Sequence, residues 1–233
     1  MGLKHKRSYW KLNLTQQILK GEICMCETQM MWKQKFYKDV EPIILRDPLA
    51  EFLGAINEGE NFVFTYADAI KLAGHSCPSV SGAYKITQKA LKALYGAETP
   101  VRGEISVRVL GSVNNGANGP MSQIISLITG AAPVTGFAGL GEDFVRKNKL
   151  IFDEENEEPN TFIFTRDDNK ISIKVTYHPE NIPQKGDMTG LFTKCIVGTA
   201  TKKQQEDFIA MWQERVKIVL FEETKGLFSV KEY

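Results

Sequence analysis

TFIFTRDDNKISIKVTY, residues 161–177, decides how this chain is read. Phe162 and Phe164 face one way at strand spacing, and Ile171, Ile173 and Val175 match them. Asp167-Asp168-Asn169-Lys170 between the two runs has the composition of a hairpin turn. Strands joined by so short a turn run antiparallel. Working outward, EISVRVL (104–110) alternates Ile105, Val107 and Val109 against Ser106 and Arg108, the pattern of a half-buried strand, and KLIF (149–152) reads as another.

Helices lie on either side. Val80, Tyr84, Thr87, Leu91 and Leu94 recur at spacings of four and three, with Pro78 suited to the first helical position and Gly96 to the stop. Ser81 and Gly82 keep that helix's first turn small, so that another backbone could approach it. DPLAEFLGAINEG (47–59) has Asp47 as N-cap and Gly59 beyond its end, Thr65 and Asp68 form a capping-box pattern, and MSQIISLITG (121–130) reads as a further helix. TATKKQQEDFIAMWQERVKIVLFEE (199–223) is a long amphipathic helix with Phe208, Trp212, Val216 and Val219 on its apolar face. Cys195, in the apolar run LFTKCIVG, reads as a buried strand residue, and DEENEEP (153–159) as a solvated loop. Early helices, central strands and a late helix give an α+β fold with a largely antiparallel sheet and helices packed on it. The expected organisation is an N-terminal extension over 1–44, a core over 45–175 and a C-terminal extension over 176–233 packed on that core.

Composition narrows the function. With 29 basic and 28 acidic residues the formal net charge is +1, which gives no electrostatic case for nucleic acid or a membrane surface. No apolar run has the length of a transmembrane helix. MGLKHKRSYWKLNLTQQ is basic without an apolar run behind it, which does not read as a secretory signal. Cysteines at 24, 26, 77 and 195 are too few and scattered for a disulfide framework, so the expectation is a reduced, cytoplasmic protein.

Chemistry concentrates in KLAGHSCPSVSGAYK (71–85). His75 and Cys77 fall in a short connector between two helices, with Cys77 at the N-cap of the second. Unpaired backbone N–H groups and the helix dipole meet there, the setting in which a thiol becomes a metal ligand or a nucleophile. In an extended connector the side chains at 75 and 77 share one side, so imidazole and sulfur could hold one cation. The plainer reading is a small buried hydrophobe beside a helix-end histidine, since two ligands fall short of the four of a structural zinc site.

GHSCPSVSGAYKITQKALKALYG (74–96) resembles the signature of the FmdE family, named for a component of formylmethanofuran dehydrogenase, whose members carry Gly-His-x-Cys-Pro at the start of a helix. The likeness continues through RGEISVRVLGS, the helix ending in LITGA, and KNKLIF, roughly residues 45 to 175. The resemblance implies an FmdE-like α+β core, an intertwined homodimer and a metal-associated cleft at His75 and Cys77, with Gly74 and Pro78 shaping the turn. Ala73 stands where many relatives have a second histidine, and Asn114-Asn115-Gly116-Ala117-Asn118 where many have a cysteine. Asn114, Asn115 and Asn118 are therefore candidate cofactor-binding residues, with amide carbonyls or water in place of a thiolate. Mixed nitrogen and sulfur donors point to a divalent metal, zinc first, and His178 is the first choice for a distant third ligand.

These features lead to a metal-binding protein with a His75/Cys77-lined cleft, a zinc-dependent enzyme acting on a small carbonyl-type substrate. One alternative is a non-catalytic accessory or ligand-binding subunit serving a redox-enzyme partner. Another is a metal-free thiol enzyme with Cys77 as nucleophile and His75 as its base. Formyl oxidation itself is not carried over, because the chain has no cysteine pattern for iron–sulfur clusters. Asp68 is a candidate to orient His75, and Cys24-Met25-Cys26 and His5 read as bland.

Overall fold

The structure, a computed structural model, describes residues 32–233. The chain divides into two units, 1–35 and 36–233, and only the last four residues of the first are described. Cys24, Cys26 and His5 lie outside the described residues.

In the second unit the order is β1 (Ile43–Arg46), α1 (Pro48–Phe52), β2 (Asn61–Phe64), α2 (Tyr66–Ala73), α3 (Pro78–Tyr95), β3 (Ile105–Leu110), α4 (Asn118–Thr129), β4 (Leu150–Asp153), β5 (Thr161–Arg166), β6 (Ser172–Tyr177), α5 (Met188–Ile196), α6 (Lys202–Phe221) and β7 (Phe228–Glu232). β1 and β2 form an antiparallel pair. The other five strands make one sheet, ordered β4-β3-β5-β6-β7, in which β3–β4 is parallel and the remaining pairs antiparallel. The fold is α+β with a mixed sheet.

The quoted hairpin sets this register. Phe162 pairs with Val175 and Phe164 with Ile173, while on the other side Val109 pairs with Phe162 and Val107 with Phe164. All six are buried and fall on one face. Full burial of each phenylalanine contributes about 1.5–3 kcal/mol. Ile171 departs from the expected match: β6 begins at Ser172, the turn bonds Ile171 N–H to the Asn169 side chain, and Ile171 is half-exposed.

α3 lies over that sheet face and touches α2, α4 and α6 as well as β5, β6 and β7. Its predicted stripe is buried, but so are Ser81, Gly82, Ala83, Ile86 and Ala90, because a helix at the centre of the unit is covered nearly all round. What approaches Gly82 is a ring rather than a backbone: a Cβ there would sit 2.6 Å from Cε1 of Tyr177.

Two other elements differ from expectation. The helix capped by Asp47 stops at Phe52, because Gly54 takes a left-handed conformation (φ 71°) well before Gly59. Cys195 is helical: Asp187 caps α5 by accepting from Gly190 N–H at 2.8 Å, and no residue of α5 is buried. The 175/176 boundary falls inside β6, and β7 extends the same sheet. No helix among the described residues is long and apolar enough to cross a membrane.

Candidate functional site

The connector between α2 and α3 is built by helix-end chemistry. Gly74 ends α2 in the left-handed conformation (φ 73°), its N–H bonding Ile70 C=O. Cys77 then takes extended backbone as N-cap of the 18-residue α3, with Pro78 at the first position. Its sulfur accepts from Val80 N–H at 3.4 Å, satisfying one of the unpaired donors of the helix start.

Ser76 is the anchor of the connector, and its part was not visible in sequence. Its hydroxyl lies 2.8 Å from the Tyr66 hydroxyl, and its carbonyl accepts from Trp212 Nε1 at 2.9 Å. Tyr66 is fully buried and packs edge-on against Tyr37 and Tyr84. With Ser76 held from both sides, His75 faces solvent and Cys77 is half-buried. Removing the indole donor by Trp212→Phe is expected to lower stability by about 0.5–1.5 kcal/mol. Urea unfolding checks that value, and alkylation of Cys77 should become faster as the connector loosens.

His75 Nδ1 lies 2.9 Å from Ala73 C=O. A carbonyl only accepts, so Nδ1 carries the proton in this contact and the Nε2 lone pair is left for another partner. Metal-binding histidines are commonly oriented by this kind of backbone bond. Asp68 does not orient the ring, because its oxygens go to Thr65 and Lys71.

Tyr177 lies against Gly82 of α3, five residues after Cys77. It is 2 % exposed, stacks on Phe228 at 5.1 Å, and its hydroxyl has no hydrogen-bond partner among the described residues. Burial raises its phenol above the ordinary value, Arg215 opposes this, and the charges of Cys77 and Glu180 add to it. Tyr66 is raised too, by burial first and less by Tyr37 and Cys77.

His178 makes its own contacts, Nδ1 with Glu180 at 3.1 Å and Nε2 with Ser229 at 3.2 Å. Among the described residues no three of His, Cys, Asp and Glu form a group that could hold a metal ion, so His178 is not brought to His75 and Cys77. The asparagine loop is tied within itself and to the acidic loop: Asn114 N–H bonds Ser112 Oγ, Asn118 donates to Ser112 C=O, and Asn115 donates to Glu157. The corner thus carries two donor types, an imidazole nitrogen and a sulfur, two positions apart in sequence and half the number that a zinc coordination shell takes. No protein-family model matches the chain, and no curated protein matches it.

Proposed function

We propose that this is an FmdE-like ligand-binding protein in which His75 and Cys77 supply two donors to a divalent metal, zinc before others. The carrying observation is the His75 Nδ1 contact with Ala73 C=O, on the residue two positions before the Cys77 N-cap of α3. It leaves Nε2 free on a connector that Ser76 holds in place. The other coordination positions go to a small ligand or to a second copy of the chain in a homodimer. An open shell of this kind polarises a carbonyl-type ligand, which is the enzymatic form of the proposal. In its non-catalytic form the protein holds the ligand for a redox partner.

A second reading rests on Tyr177. Its buried hydroxyl has no partner among the described residues and its ring lies against Gly82 of α3, the helix that Cys77 caps, which suits a metal-free site in which Cys77 binds or attacks an electrophile. The Nε2 lone pair that the Ala73 contact leaves free makes His75 the base of this reading.

Metal content of the protein purified without a histidine tag separates the two. Near-stoichiometric zinc, lost in His75→Ala and in Cys77→Ser, is the expected result. Serine is the better substitution because it keeps an N-cap while removing the soft donor. Added zinc should also slow alkylation of Cys77. Absence of metal, with alkylation indifferent to zinc, would sink the metal proposal; rapid alkylation in chelator would then favour the thiol site.

A further inference from the structure

Away from that corner, the loop between α4 and β4 carries a buried arginine whose charge is only partly met. Arg146 is 6 % exposed. Its Nη2 donates to Asp47 Oδ1 at 2.8 Å, while Nε and Nη1 are buried without a hydrogen-bond partner among the described residues. Beside it, Arg102 uses each nitrogen once, with Nη1 on Asp47 Oδ2 at 2.8 Å and its other nitrogens on the Ile128 and Leu127 carbonyls, which leaves a second N–H on each terminal nitrogen. Two guanidinium cations therefore share one buried carboxylate. Glu104, the next acidic group to act on Arg146, is exposed and screened by solvent. Burial holds Arg146 below the usual guanidinium value even with Asp47 attached. Nε and Nη1 of Arg146 are packed against Gly103 and Gly130, so the excess charge acts on an incoming anion through its field, while the spare Arg102 N–H groups can donate to it.

The same two arginines line a cavity of about 640 Å³. That is the size of a small-molecule site. Most of the wall is apolar, with Leu72, Leu127 and Phe137 among its side chains and Ser126 as a polar contributor. His75 and Cys77 are not part of it. We propose that this cavity binds a small organic monocarboxylate with an apolar body, its carboxylate meeting Arg146 and Arg102 and its body lying against Leu72, Leu127 and Phe137. One negative charge matches the single excess positive charge of the cluster, and the apolar wall disfavours a fully hydrated inorganic anion.

The test uses the full chain with 4-fluorobenzoate, 4-fluorobenzamide and inorganic phosphate, followed by fluorine NMR, calorimetry and thermal unfolding. Saturable binding of the benzoate, a raised melting temperature and no comparable effect of amide or phosphate are expected. Because Arg146→Gln could fail to fold, Gln123→Trp, at an exposed position on the cavity wall, is the second variant. It should weaken benzoate binding by about tenfold or more, and Cys77→Ser should leave that binding unchanged. No saturable binding, equal binding of the amide, phosphate binding as well as benzoate, or benzoate binding indifferent to Gln123→Trp would each overturn the proposal. Loss of metal at the His75/Cys77 corner would not affect this result, so the two proposals fail independently.

Discussion

Asp47→Ala is expected to destabilise the protein by about 3–5 kcal/mol, because it strands the buried Arg146 cation without its counter-ion. The same carboxylate pairs with Arg102 and caps α1, accepting from the Leu49 and Ala50 N–H groups. Asp47→Asn keeps an oxygen for the cap and removes the charge, so the difference between the two variants separates the roles. Loss of the cap alone accounts for about 1 kcal/mol. Acid gives an orthogonal check. Burial pushes the Asp47 carboxyl up, but the Arg102 hydrogen bond, the Ala50 N–H and the Arg146 charge more than offset it, and the group titrates below its ordinary value. A depressed carboxyl contributes stability that is present above its unfolded value and lost as pH falls through the folded one. The gap between wild type and Asp47→Asn should therefore be widest near neutrality and close in acid, read from urea midpoints across the pH range. A gap independent of pH would mean that the charge contributes nothing.

Gly82→Ala is expected to cost about 1–3 kcal/mol, a large effect for one methyl group. The added Cβ would lie 2.6 Å and 2.8 Å from two carbons of the Tyr177 ring, and that ring is stacked on Phe228. The ring cannot turn away freely, so either α3 lifts or Tyr177 shifts. Both movements disturb the start of α3, which Cys77 caps, and the variant should change the alkylation rate of Cys77 as well as the unfolding midpoint. Tyr177→Phe serves as the control. It removes only a hydroxyl that has no partner among the described residues, so its effect on stability should be small or favourable. If Gly82→Ala were neutral in both measurements, the contact would not hold the corner in place.

Much of the fold was legible because it rests on local chemistry. The period-two runs at 161–177 and 105–109, the stripe of α3 and the caps at Asp47 and Thr65 each follow from neighbouring residues, and they reappear in the structure with Ile171 alone displaced into the turn. The parallel pairing of β3 with β4 was not legible, since no short-range pattern distinguishes it from an antiparallel one. Nor was α5, where Phe192 and Ile196 lie exposed although a buried strand would be expected from Cys195. At the site, sequence located the N-cap cysteine and the histidine before it. It could not show Ser76 held by Tyr66 and Trp212, because those partners come from ten and 136 residues away. Arg146 had no sequence signal: its meaning depends on Asp47, 99 residues distant.

The parallel β3–β4 pair also orders the assembly of the chain. Thr165 and Ser172 meet across seven positions (172 − 165), whereas Val107 and Leu150 meet across 43 (150 − 107). Closing the longer loop costs roughly 1.5 kcal/mol more by chain statistics, so the hairpin has a kinetic lead and β4 docks late. The segment that β4 brings home contains Arg146 and part of the cavity wall. Held at the sheet's edge by one neighbouring strand, it is also the part expected to exchange its amide protons early. The cavity would then breathe by brief release of the last-docked strand while the hairpin and α3 stay closed.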